Sequence, residues 1–208
     1  MKLQLATALY EAISLVQATT LFTEFSNNTD DLVPIKFTLQ DGRSGIVQRQ
    51  ATPCCQNPIP GWPGRDSSWT PSDEPVSYCN MSDAVGREDG IDGYAKVEDC
   101  TILRDYMLET DGAFFLQPDG LVAGAFTGLI AHSSCLVSAS LDPGADIWDG
   151  LWIGNKDVAD LLTLALEEYI EDNGMIWVDG YWPCSGPSGP GKPAVWSVWG
   201  IPKWSRSV

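Results

Sequence analysis

The sequence predicts an α+β fold, a small disulfide-stabilised domain in which an antiparallel sheet packs with two helices. Three observations carry this expectation. Apolar residues recur on one helical face in two segments, 100–109 and 155–173. Short strand-like runs lie between and after them, separated by Gly, Pro, Asn and Asp turn signals. Cys54, Cys55, Cys79, Cys100, Cys135 and Cys184 form an even, widely spaced set with no CxxC pair, and a single histidine offers little help to a metal, so bridges suit them best.

A length of 208 residues suits one compact domain with extra sequence, or two small ones. Met1-Lys2, an apolar stretch and the small-residue stop Val16-Gln17-Ala18 are the parts of a secretory signal over residues 1–18, interrupted only by Glu11. Residues 19–75 read as an N-terminal extension and linker. Within them, 33–39 alternate like a strand ended by Asp41-Gly42, and 51–75 are too rich in Pro, Gly and Ser for regular backbone pairing. Residues 76–200 carry the main domain, and 201–208 form a tail.

In that domain Asp99 is placed to cap a helix over 100–109, with Ile102, Leu103, Tyr106 and Met107 on one face and Asp111-Gly112 ending it. Residues 113–117 and 121–126 read as a hairpin around Pro118-Asp119-Gly120, and 129–140 as a third strand bearing Cys135. Asn155 is the expected N-cap of the second helix. Asp157 and Asp160 sit near its positive end, Val158, Leu161, Leu162, Ala165 and Tyr169 form its stripe, and Asn173-Gly174 ends it. Residues 175–184 then read as a strand, 185–193 as a loop, and 194–200 as the last strand.

Charge narrows the function. With 28 acidic against 12 basic residues the net charge is -16, a field that repels phosphate backbones and anionic headgroups, and keeps a protein soluble and monomeric. No nucleic-acid partner and no stable membrane insertion are expected, since no apolar run reaches spanning length. His132 stands alone without a G-x-S-x-G elbow, the abundant carboxylates show no catalytic spacing, and 89–93 lack the alternating oxygen ligands of a calcium loop. No catalytic residue, metal or cofactor is therefore expected. Asn27 and Asn80 begin glycosylation sequons. Seven of nine tryptophans follow Asp146, and of these Trp196, Trp199 and Trp204 are candidate recognition residues. Trp196 and Trp199, three apart on a strand, face opposite sides, so both can be core only under a sheet covered on both faces.

Five segments in a fixed order carry a resemblance: Tyr78-Cys79-Asn80, Val97-Glu98-Asp99-Cys100, Ser133-Ser134-Cys135-Leu136-Val137, Ile153-Gly154-Asn155-Lys156-Asp157 running on to Asp160, and Trp182-Pro183-Cys184. Together they resemble the fungal extracellular-protein-two effector family, whose domain is named for necrosis induction, over residues 76–199. The chain departs from that pattern in its extra Cys54-Cys55 and in Leu136, where the family usually has an aromatic. The resemblance implies a secreted, extracellular virulence effector that binds a host or competitor cell-surface protein or glycan and provokes cell death. An antifungal or killer-toxin-like protein, a carbohydrate-binding module and a small cell-wall hydrolase are the alternatives.

Six cysteines allow about fifteen pairings. The preferred one joins Cys100 to Cys135, because the first helix must pack on the third strand, and Cys79 to Cys184, which joins the ends of the domain. Cys54 and Cys55 are left over, since adjacent cysteines rarely bridge each other. Gly154, Asn155, Asp157 and Asp160 identify the family, and helix capping explains their types.

Overall fold

The computed structural model describes residues 32–50, 67–80, 94–116, 126–141, 150–171, 173–186 and 189–200. In chain order they form β1 (Leu32–Thr38), β2 (Ser44–Gln50), β3 (Ser67–Pro71), β4 (Ala95–Lys96), α1 (Val97–Glu109), β5 (Gly112–Leu116), β6 (Thr127–His132), β7 (Cys135–Leu141), β8 (Leu151–Gly154), α2 (Asn155–Glu168), β9 (Met175–Ile176), β10 (Val178–Gly186) and β11 (Gly189–Gly200). Nine strands make an antiparallel sheet in the order β1-β2-β6-β7-β11-β10-β8-β5-β3, and β4 pairs with β9 apart from it. The α+β class is the one the sequence predicts.

The sheet curls strongly. Arg49 on β2 and Trp69 on β3 belong near opposite ends of the strand order, yet the guanidinium lies 4.3 Å from the Trp69 ring centroid. Right-handed strand twist accumulated over nine strands brings the ends together. The curl encloses one core, in which Leu103 and Met107 of α1 and Leu161 and Leu162 of α2 pack with Leu129, Val137, Ile153, Trp182 and Trp196 from the strands. Each of these side chains leaves water completely, worth roughly 1.5–3 kcal/mol apiece for the aliphatic ones.

Several expectations are corrected. The sheet runs across the boundary placed at residue 76, because β1, β2 and β3 all precede it. The linker reading of 51–75 fails at 67–71. There β3 pairs with β5, Trp69 opposite Phe114, and the buried Trp69 ring meets Phe114 edge-on at 4.7 Å. Pro71 is tolerated because β3 is an edge strand, with one side free of ladder bonds. The strand expected over 33–39 exists as β1, and the turn after it has Gly42 at φ +88°, which only glycine adopts cheaply. β3 and β8 occupy both edges of β5, where the hairpin expectation places 121–126; residues 117–125 lie outside the described residues.

The single strand expected over 129–140 is instead the hairpin of β6 and β7, turning at Ser133-Ser134 with Ser133 at φ 50°. No glycine marks that turn, so its residue types carry only a weak turn signal. α2 stops at Glu168, and Asn173-Gly174 makes a later turn in which the Asn173 side chain accepts from the Met175 amide at 2.9 Å. The loop expected over 185–193 is largely strand: β10 and β11 stay paired up to Gly186 opposite Gly189.

Candidate functional site

β8 runs directly into α2, and the segment Val76–Asn80 lies across this junction. Gly154 makes the crossing feasible, since a Cβ there would sit 2.0 Å from the Val76 carbonyl oxygen. The Asn155 carbonyl oxygen Oδ1 accepts from the Val76 amide at 2.9 Å, and its Nδ2 donates to the Met107 carbonyl in the last turn of α1 at 3.1 Å. Asp157 is completely buried. Its carboxylate accepts from the Ser77 hydroxyl at 2.6 Å and from the amides of Gly154, Tyr78 and Cys79 at 2.7, 2.8 and 3.2 Å.

Helix capping is therefore only part of what this motif does. Gly154, not Asn155, holds the N-cap position, and of the four donors to Asp157 only the Gly154 amide is a capping partner. The other three belong to a strap some eighty residues earlier. Burial raises the Asp157 carboxyl above its ordinary range, and the four donors oppose this without cancelling it. Asp160 lies one turn further on, half-buried.

Beyond Asp157 the strap is fixed a second and third time. Tyr78 and Asn80 bond to β10, through Ser185 N–H to the Tyr78 carbonyl at 2.8 Å and Asn80 N–H to the Pro183 carbonyl at 2.9 Å. Cys79 is bridged to Cys184, with Cα atoms 3.9 Å apart. The second bridge, Cys100 to Cys135, completes the expected pairing of these four cysteines. Beside it Asp99 accepts from the Ser134 amide at 3.0 Å and hydroxyl at 2.5 Å. Asp99 thus sits inside the first turn of α1 and is not its cap; that position is Lys96, without a side-chain cap bond.

The tryptophan expectation is corrected for two of its three residues. Trp196 is fully buried in the main core, with its Nε1 donating to the Tyr181 carbonyl at 3.3 Å. Trp199 is 6% exposed and packs on the opposite face with Ala131 and Leu136, against which Leu32 and Trp177 also pack. The sheet is covered on both faces here, so neither ring is a recognition surface. Trp204, Asn27, Cys54 and Cys55 lie outside the described residues; Asn80 is exposed. His132 is positioned structurally, its Nδ1 2.9 Å from the Ile46 carbonyl oxygen.

An aromatic surface occurs elsewhere. Phe115 and Trp152 are register partners on β5 and β8, and both are half-buried, while their chain neighbours Phe114 and Ile153 point into the core. Their ring centroids are 4.5 Å apart, and exposed Tyr78 stands 6.0 Å from Trp152. The alternation of buried and half-buried residues in these two short strands is the signal that sequence reading could have used. Among the described residues no group of three or more His, Cys, Asp and Glu side chains could hold a metal, and no helix is long and apolar enough to cross a membrane.

The family described as "Pathogen effector; putative necrosis-inducing factor" matches residues 78–184, just over half of the chain. The chain belongs to this family. Its matched segment begins at the Asp157-bound strap and ends at the half-cystine that closes it. No curated protein matches the chain.

Proposed function

We propose that the protein is exported and acts outside the cell that makes it, as an effector that binds a surface component of a host or competitor cell and provokes cell death through that contact, without catalysis. The observation that carries this reading is the Cys79–Cys184 bridge, which joins the two ends of the family-matched segment. Such bridges persist in oxidising, extracytoplasmic surroundings. They also constrain the unfolded chain, which suits a protein that meets foreign proteases. The net charge of -16 disfavours nucleic acid and anionic bilayers as targets, leaving proteins and glycans.

The test has two arms. N-terminal sequencing of protein recovered from the medium should place the mature start just after Ala18. Purified oxidised protein, applied to leaf tissue and to rival fungal cells, should cause ion leakage or growth arrest in one of them, and the Cys79→Ser/Cys184→Ser variant at equal dose should cause much less. Recovery of the chain only inside the cell with Met1 intact, or no response from any target cell, overturns the reading.

A further inference from the structure

We propose that the cross-strand row Ser68, Phe115, Trp152 and Ser185, with Tyr78 beside it, is a binding face for an uncharged pyranose glycan; this deepens the surface-binding reading above and rests on it. The row is set by register. Ser68 on β3 pairs with Phe115 on β5, Phe115 with Trp152 on β8, and Trp152 with Ser185 on β10. Because strand side chains alternate in direction, these four share the outer face of the sheet, and all four are half-buried. Two aromatic rings thus stand in the centre with a hydroxyl-bearing residue at either end.

In the other outer cluster Trp199 is buried with Ala131 and Leu136, and of its rings only Trp177 at the margin is half-buried, whereas here both register-paired rings are partly exposed with exposed Tyr78 beside them. The rings are also held in place. Gly150, at φ +80°, brings the backbone so close that a Cβ there would lie 2.7 Å from the Phe115 ring. Tyr78 has its amide on Asp157 and its carbonyl on Ser185. Rigid rings lose little entropy on binding, which favours affinity from a small contact.

The chemistry selects the ligand. A pyranose has an apolar C–H face that stacks on an aromatic ring and an equatorial rim of hydroxyls that bonds to flanking polar groups. Ring centroids 4.5 and 6.0 Å apart, with planes tilted by 41° and 34°, make the three rings one contiguous aromatic patch against which a sugar ring can lie. None of the five residues is Asp, Glu, Lys, Arg or His, in a chain whose net charge of -16 repels acidic glycans, so an uncharged one fits. A stable protein partner covers about 800 Å² per side, far beyond a strip this narrow.

The experiment titrates the full-length, disulfide-intact protein with short oligomers of β-1,4-linked N-acetylglucosamine, β-1,3-linked glucose and, as the acidic comparison, galacturonate, followed by calorimetry. One neutral oligomer should bind saturably, and Trp152→Ala should weaken it by about tenfold or more. Tyr78→Ala removes an exposed ring while leaving its backbone bonds, and should weaken binding several-fold even where Trp152→Ala fails to fold. Binding of none of the neutral oligomers, preference for galacturonate, or unchanged affinity in a folded Tyr78→Ala variant overturns the proposal. If no glycan binds while the protein still provokes cell death, this inference falls and the effector reading stands; an unexported, inert protein overturns that reading whatever the titration shows.

Discussion

At the start of α1, Asp99 accepts from the amide and hydroxyl of Ser134, and the next residue of each segment, Cys100 and Cys135, is joined by a disulfide. At the start of α2, Asp157 accepts from Ser77, Tyr78 and Cys79, and Cys79 is joined to Cys184. Both carboxylates occupy the third position of their helix, where free amides and the helix dipole favour negative charge. Both direct that charge toward a segment outside the helix. The two clasps differ in reach and depth: the first bridge spans 35 residues and the second 105, and Asp99 keeps 9% of its surface while Asp157 keeps none. One device therefore serves as a local clasp in α1 and as the closure of the family-matched segment in α2.

Removing each bridge is the strongest way to break this comparison. Loop-closure entropy assigns about 4.7 kcal/mol to a loop near the length of the second and about 3.8 kcal/mol to one near the length of the first. Cys79→Ala/Cys184→Ala should therefore cost more than Cys100→Ala/Cys135→Ala in urea unfolding. In the first variant the strap should still show slow amide exchange at Tyr78 and Cys79, because Asp157 holds both amides. The reverse order of stability losses would mean that strap closure is secondary to the local clasp.

The carboxylates come next. Asp157→Ala leaves the part-buried donors of Ser77, Tyr78 and Cys79 and the buried Gly154 amide without their acceptor, and should cost about 3–4 kcal/mol. Asp99→Ala frees the two groups of Ser134 and the side chain of exposed Ser133, which can turn to water, and should cost about 2 kcal/mol. Denaturant midpoints of the two variants measure the difference. Equal losses would show that the strap donors find other partners when Asp157 is gone.

What the sequence reveals of these clasps follows from what each part does locally. The stripe of Val158, Leu161, Leu162 and Ala165 is legible because helical periodicity acts within a few residues, and the acidic first turns place the helix starts approximately, although neither N-cap residue makes a side-chain cap bond. The pairing of four cysteines is reachable from the order of the elements. The partners of Asn155 and Asp157 are not, because Val76 to Cys79 contribute mostly backbone amides, which every residue carries, from nearly eighty positions away. β3 hides for a similar reason: a proline-flanked run with one tryptophan reads as linker until Phe114 is there to cover that ring. Trp196 and Trp199 mislead because an aromatic's type does not tell core from surface.

The smallest effect is on pH dependence, and it separates the two aspartates by sign. Burial raises the Asp99 carboxyl, but the Ser134 hydroxyl and amide, the Ser133 side chain and the nearby His132 outweigh it, and the net shift is downward. The folded state then prefers ionised Asp99. Its stabilisation is complete above the unfolded value of about 3.9 and is lost as pH falls through the lower folded value. For Asp157 burial wins and the net shift is upward. Between the unfolded value and the raised folded one, the folded protein keeps a proton that the unfolded chain has released, so stability declines as pH rises through that window. Burial raises the Asp105 carboxyl, but Arg43 and Arg104 together outweigh it and the net shift is downward, so Asp105 adds to the acid limb in all variants and cancels in differences. Melting temperatures recorded across the acidic range should therefore show Asp99→Asn flattening the loss at low pH, and Asp157→Asn flattening the decline above about pH 4. If Asp157→Asn flattens the low-pH loss instead, the donors of the strap outweigh its burial, and the two clasps differ in reach alone.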